Sequence, residues 1–171
     1  MKTTLNNLNE TLAYLLEGMY DAEKKLLKVV PDCLHLVTSR ALKSEIKKYV
    51  ESAADKRIKL KRIFSYLLAG PFGRKNKVID RMLKEAGNIL KFTSSPEVKD
   101  AMLIGCLQAI NHHKISAYGT AKAFSVELEL QAVTDLLAEV LEWEKETDQA
   151  LTKIALKEVN GKAAALAVAL V

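Results

Sequence analysis

Apolar residues recur every three or four positions along almost the whole chain, and this period constrains the fold more than any other feature. The first stretch contains Leu8, Leu12, Leu15, Met19 and Leu26. Spacings of three and four place side chains on one face of an α-helix, whereas a strand would alternate every two. Only 7 Gly and 3 Pro occur in 171 residues, so few helix breakers interrupt the pattern. The sequence therefore predicts an all-α protein with long helices.

Capping and breaking residues divide the chain into four long helices and one short helix. Ser39 and Ser95 are predicted N-caps, and the Gly70-Pro71 pair ends the second helix. The short amphipathic helix lies in the long connection between the second and third long helices, as in a ferritin-like four-helix bundle with one crossover. The long helices are predicted at about 5–31, 40–69, 96–124 and 127–158, and the short helix at 74–90.

Length and composition predict one ferritin-like helical domain over residues 1–171, with an apolar C-terminal tail at 160–171 packed against the body or a partner subunit. The formal net charge of +5 indicates an anionic partner only weakly. The first ten residues lack the apolar segment of a signal peptide, and no run approaches the roughly 20 apolar residues of a membrane span. We expect a cytoplasmic protein that does not bind membranes.

Acidic residues fall on the apolar faces of three predicted helices. Glu23 lies four residues after Met19 and three before Leu26, so its carboxylate points into the predicted core. Glu51 and Glu144 have similar spacings to apolar residues of the second and fourth long helices. We therefore predict that these three glutamates approach one another inside the bundle.

Carboxylate-bridged di-metal bundles provide a template for such an arrangement. Two helices each give one Glu, and the other two each give Glu-x-x-His, because residues three apart share a helix face. Here the residue three positions after Glu51 is Ala54, and the one after Glu144 is Thr147. The third long helix has Asn111 where a glutamate is expected. Both histidines and one carboxylate of the template are therefore absent.

The leading interpretation is that Lys114 occupies the former metal position. Carboxylates about 5 Å apart repel by about 3 kcal/mol per pair at an effective dielectric constant near 20. A neighbouring cation or a shared proton is therefore required. Lys114 shares an inward face of the third long helix with Leu107 and Ile110, so its ammonium group can supply that charge.

Two other interpretations stay open. In one, Glu23, Glu51 and Glu144 hold a single Fe, Mn or Mg ion with help from His112, Asp148 or water, since oxygen-rich sites bind such ions. In the other, one or more glutamates reach solvent at a helix edge and no site exists.

A basic second helix makes phosphate or nucleic-acid binding a third functional hypothesis. Glu45 and Asp55 interrupt the basic residues, and aromatic residues suited to stacking on bases make up only 6% of the chain. We therefore expect a solvated helix face and no nucleic-acid partner. The basic residues of this helix are Lys43, Lys47, Lys48, Lys56, Arg57, Lys59, Lys61 and Arg62.

Five short segments occur in a characteristic order: they include Tyr20-Asp21-Ala22-Glu23, Val50-Glu51, Asp100-Ala101, Tyr118-Gly119-Thr120 and Thr147-Asp148. In this order they resemble the YciF-type stress-associated bacterial family over about residues 8–155. The resemblance implies a ferritin-like bundle, a homodimer, a di-metal centre and no established reaction.

The third long helix departs from that family, which typically has an acidic EHYEI-like stretch there. This chain reads Asn111-His112-His113-Lys114-Ile115, so two acids have become Asn111 and Lys114. We therefore predict a degenerate di-metal centre, no bound cofactor and little or no oxidase turnover. The site residues are predicted to be Glu23, Glu51 and Glu144, with Asn111, Lys114, His112 and Asp148 lining the same core.

Overall fold

A computed structural model describes residues 4–168, and the side chains as far as 166. Side-chain caps start four of the helices: Asn7, Ser39, Asn76 and Ser95 each accept a hydrogen bond from a backbone N–H of the first turn. The helices are α1 (Leu8–Val29), α2 (Arg40–Tyr66), α3 (Lys77–Phe92), α4 (Pro96–Glu127), α5 (Gln131–Ile154) and α6 (Asn160–Val168).

Helices α1, α2, α4 and α5 pack around a common apolar core, and α3 lies in the crossover between α2 and α4. Helices α1 and α4 run antiparallel. Asp100, near the start of α4, accepts a hydrogen bond from Ser39 N at 2.8 Å, whereas Tyr118, farther along α4, reaches back to Glu23 in α1. The predicted all-α bundle with one helical crossover is confirmed. No helix within the described range is both long enough and apolar enough to cross a membrane.

The C-terminal helices differ from the predicted boundaries. Helix α4 continues to Glu127, and α5 begins only at Gln131. Asn160 and Gly161 do not end the last helix, because a π-helical segment (Ala155–Val159) carries the chain directly into α6. Helix α6 packs on α4 and consists of the predicted apolar tail as far as Val168. Residues 169–171 lie outside the described range.

Helix α2 ends in a Schellman motif whose left-handed residue is Leu68, with φ of 50°. Ala69 N donates to Phe64 O at 3.1 Å and Leu68 N to Ser65 O at 3.4 Å, the two bonds that define the motif. The sequence predicted that the helix continues to residue 69, three residues beyond its last residue, Tyr66. Leu68 is 96% exposed, so its side chain does not compensate for the backbone strain through burial.

We therefore expect Leu68→Gly to stabilise the protein by about 0.5–1 kcal/mol, because glycine adopts this conformation without steric cost. Urea unfolding followed by circular dichroism measures the change. Leu68→Ala is the control, since alanine keeps the Cβ atom; equal stabilisation by both variants would contradict the explanation.

A buried charge cluster at the bundle centre

Four charged side chains from four helices meet at the centre of the bundle. Glu23 of α1, Lys56 of α2, Lys114 of α4 and Glu144 of α5 are each at most 1% exposed. We call these four residues the central cluster. Two carboxylates face two ammonium groups, so the formal charges cancel. Charges are almost never buried in this way unless they are paired.

Both lysines contact the same oxygen of Glu144. Lys56 Nζ lies 2.6 Å and Lys114 Nζ 2.8 Å from Glu144 Oε1. Lys114 Nζ also lies 3.0 Å from Glu23 Oε1, so this ammonium group links the two carboxylates. The neutralising role predicted for Lys114 therefore has the required geometry, and Lys56 supplies a second cation.

Neutral groups complete the surroundings of the two carboxylates. The Tyr118 hydroxyl donates to Glu23 Oε1 at 2.8 Å, and Asn111 Nδ2 donates to Glu144 Oε2 at 2.6 Å. Lys114 Nζ lies 4.9 Å from the centre of the Tyr49 ring, within the range of a cation–π contact. Asn111 is thus a buried donor to a carboxylate, in the core region where the sequence placed it.

The two lysines have opposite pKa shifts. Burial lowers the pKa of Lys114, but Glu144 and Glu23 outweigh burial, and the net pKa lies well above its ordinary value. Burial, reinforced by the nearby charge of Lys114, lowers the pKa of Lys56. For Glu144, burial raises the pKa, but Lys114 and Lys56 together bring it below its ordinary value. Lys114 is therefore the more firmly held cation.

Lys56 is the residue that the sequence analysis missed. It lies three residues after Ala53 and four before Leu60, both fully buried, so all three share the inward face of α2. Ala53 and Lys56 have the spacing at which a di-metal bundle carries Glu-x-x-His. A lysine in line with buried apolar residues is a signal that the sequence does contain, but the many basic residues around Lys56 predict a solvated face instead.

Glu51 lies outside the central cluster, contrary to the prediction. It is two residues, or about 200° around the helix, from both Tyr49 and Ala53, which face the core. Its side chain is exposed and lines a surface groove between α2 and α5, beside Asp55 and Glu146. The proposed single-ion site of Glu23, Glu51 and Glu144 therefore lacks one of its three ligands.

His112 and Asp148 also lie outside the core, contrary to the prediction. His112 Nε2 is 3.1 Å from Asp148 Oδ1, with the two side chains 64% and 22% exposed. Gln108 Nε2 donates to the same Asp148 oxygen at 3.2 Å. His112 is two residues before Lys114, so the helix turns its side chain away from the face that carries the buried lysine.

The donor set of the central cluster does not fit a metal ion. Three of the four carboxylate oxygens lie within 3.0 Å of a cation or a hydrogen-bond donor. Glu144 Oε1 contacts its two ammonium groups as ion pairs without hydrogen-bond geometry, and Glu23 Oε2 has no hydrogen-bond partner. A bound cation would lie beside two ammonium groups, which repel it. Among residues 4–168, no three His, Cys, Asp or Glu side chains are grouped so as to hold a metal.

The fold and the cluster together define a ferritin-like helical bundle with an organic ion network at its centre. A family model, described as a domain of unknown function (DUF892), matches residues 7–164, and the chain belongs to this family. Protein YciF of Escherichia coli K12 is 26% identical, covering 93% of this chain and 96% of that protein.

Solved structures agree with this assignment. The crystal structure of the E. coli stress protein YciF matches with a TM-score of 0.87 and 25% identity, covering 91% of this chain and 99% of that chain. The Rhodopseudomonas palustris protein YcfI matches with a TM-score of 0.85 and 26% identity, covering 89% and 97%. The family resemblance predicted from the sequence is confirmed.

Proposed function

We propose that this protein is a stress-associated, ferritin-like protein in which Lys56 and Lys114 take the place of a di-metal centre. The observation that best supports this proposal is that both ammonium groups contact Glu144 Oε1, at 2.6 and 2.8 Å. A metal ion held by this carboxylate would have to compete with both ammonium groups. The association with stress rests on the description of the E. coli relative as a stress protein.

In this proposal the central cluster has a structural role. Each of the four bundle helices contributes one charge, so sliding a helix along its axis would leave a buried charge without its partner. Such a charge costs several kcal/mol. The cluster would therefore select one alignment of the helices, although an apolar core of the same volume would contribute as much or more to stability. A homodimer and a cytoplasmic location stay predictions of the same proposal.

Aerobic oxidation of Fe(II) tests the proposed absence of oxidase activity. We expect the protein to oxidise Fe(II) no faster than buffer, because the two ammonium groups already balance the charge of both carboxylates and contact one oxygen of each. Absorbance of Fe(III) follows the reaction, and elemental analysis of the purified protein accompanies it. Turnover well above buffer, or one stoichiometric metal ion per chain, would reject the proposal.

A matched pair of variants removes the ambiguity of adventitious iron binding. Glu51→Gln and Glu146→Gln each remove one exposed carboxylate from the groove between α2 and α5 and leave the central cluster intact. Any weak surface binding of iron should fall in these variants. Oxidation that survives both and disappears in Glu144→Gln would place a metal at the bundle centre.

A further inference from the structure

A cavity of about 410 Å³ lies on the outside of the bundle, between α1, α2 and the loop that joins α2 to α3. Its lining includes four basic side chains and two aromatic rings. Asp21 is the one acidic residue in the lining. We call this cavity the Arg57 pocket; its basic and aromatic residues are Lys24, Arg57, Arg74, Lys75, Tyr20 and Phe72.

Arg57 is the central observation. Its guanidinium carbon lies 5.2 Å from the centre of the Tyr20 ring, and Nη2 donates to the Tyr20 hydroxyl at 3.2 Å. Its Nε atom is buried and has no hydrogen-bond partner. Among the described residues, no carboxylate forms an ion pair with this guanidinium group. A half-buried cation without a carboxylate partner therefore lines the cavity.

The acidic groups nearby leave the positive charge of the pocket largely uncompensated. Asp21 contacts Lys25 Nζ at 2.5 Å and accepts from Asn76 N at 2.7 Å. Arg74 is the pocket cation whose charge acts on a neighbouring carboxylate, that of Glu17, and it also stacks on Tyr14 at 4.0 Å. Lys24, Arg57 and Lys75 form no ion pair among the residues described.

We propose that the Arg57 pocket binds a small compound carrying a phosphate group. A guanidinium group presents paired N–H donors that match phosphate oxygens, and partial burial strengthens the contact. Phe72 is 79% exposed at the pocket, with its ring centre 6.5 Å from that of Tyr20. An exposed aromatic ring beside a phosphate site can stack on a planar base. The shared chemistry is the phosphate, offered either by inorganic phosphate or by a mononucleotide.

This inference goes beyond the proposed function and does not rest on the central cluster, because the two sites share no residue. It also differs from the nucleic-acid hypothesis based on the whole basic face of α2. Lys56 of that face is buried, and Lys59 pairs with Glu139. The remaining basic residues do not form one uninterrupted stripe, whereas the Arg57 pocket gathers cations from α1, α2 and the following loop.

Isothermal titration calorimetry on the full chain tests the proposal, with inorganic phosphate and adenosine monophosphate as separate probes at constant ionic strength. We expect Arg57→Gln to weaken binding of both probes at least tenfold. Arg62→Gln is the matched control: it lies on the same helix and stacks on Tyr66, but does not line the pocket. It should change the affinity less than twofold.

The two probes distinguish the two sources of phosphate. Tighter binding of the nucleotide that falls about tenfold in Phe72→Ala would identify a nucleotide site. Equal binding of both probes, unaffected by Phe72→Ala, would identify a site for phosphate alone; both results support the proposal. The proposal would be overturned if neither probe bound at a concentration of about 10 mM, because a site for a metabolite would have a dissociation constant below that concentration.

Equal losses in Arg57→Gln and Arg62→Gln would also overturn the proposal. If Arg57→Gln does not fold, Lys75→Gln replaces it, because Lys75 is exposed and lines the pocket. Its control is Lys77→Gln, an exposed lysine two residues away that does not line the pocket. Weaker binding in Lys75→Gln alone supports the site, and equal effects of both lysine variants argue against it.

Discussion

Replacing Lys114 with methionine is expected to destabilise the protein by about 3–5 kcal/mol, the cost of breaking a buried ion pair by removing one partner. Lys114 is 0% exposed and is the cluster cation that contacts both Glu23 and Glu144. Methionine keeps most of the volume of the side chain, so the loss reports on the charge more than on a cavity. Urea unfolding followed by circular dichroism measures the difference in the free energy of unfolding.

Lys145→Met is the control for this experiment. Lys145 is 48% exposed and pairs only with Glu142, at 3.3 Å, so its removal should cost about 0.5 kcal/mol or less. Lys56→Met should fall between the two variants, because Lys56 contacts Glu144 alone and burial already disfavours its charge. A cost for Lys114→Met no larger than that for Lys145→Met would show that the central cluster does not stabilise the bundle.

The sequence identified most of the central cluster because three of its residues lie on unambiguous stripes. Glu23 has apolar neighbours at both adjacent turns of α1, and the same holds for Glu144 on α5. Lys114 lies on a long helix with many buried positions, where a polar residue stands out. A buried carboxylate requires a partner, and that requirement led to the lysine on the facing helix.

Helix α2 was harder to interpret, because two apolar stripes overlap on it. Ala53 and Ala54 are small enough to face either the core or its edge, and Val50 stands beside Tyr49. Choosing the stripe through Ala54 puts Glu51 inward, whereas the stripe through Ala53 puts Lys56 inward. Because lysine side chains are rarely buried, the residue types favour the stripe through Ala54, which is the wrong one. Only the packing of α2 against α1 and α5 decides between them.

The helix ends show a second limit of sequence interpretation. Glycine is the usual left-handed residue at a helix C-terminus, but this chain uses Leu68 and Glu129 there. At both ends the following residue donates to a carbonyl five positions back, Ala69 to Phe64 and Leu130 to Ser125. Leu130 also packs against the core. Packing of Leu130 therefore supports the turn at Glu129, whereas the turn at Leu68 forms although its side chain is exposed.

Replacing Lys114 with glutamate is expected to make the stability of the protein depend on metal. The substitution leaves three carboxylates and one ammonium group at the bundle centre. The free energy of unfolding of the metal-free variant should therefore fall by at least the roughly 3–5 kcal/mol expected for Lys114→Met. Oxygen-rich sites of this kind bind Mn²⁺ or Fe²⁺. At a free metal concentration about 100 times the dissociation constant, binding should restore about 2.7 kcal/mol.

Thermal unfolding with EDTA and with Mn²⁺ measures this dependence, and the original protein should unfold at the same temperature in both. Lys145→Glu, which adds the same charge at the surface, should also be indifferent to Mn²⁺. Adding Lys56→His to Lys114→Glu should raise the affinity for Mn²⁺ further. This second substitution places a nitrogen ligand on the inward face of α2, at the position of a buried lysine. If Mn²⁺ stabilises the Lys114→Glu variant no more than the surface control, the bundle centre lacks the geometry of a metal site, and the two lysines are not substitutes for lost metal charge.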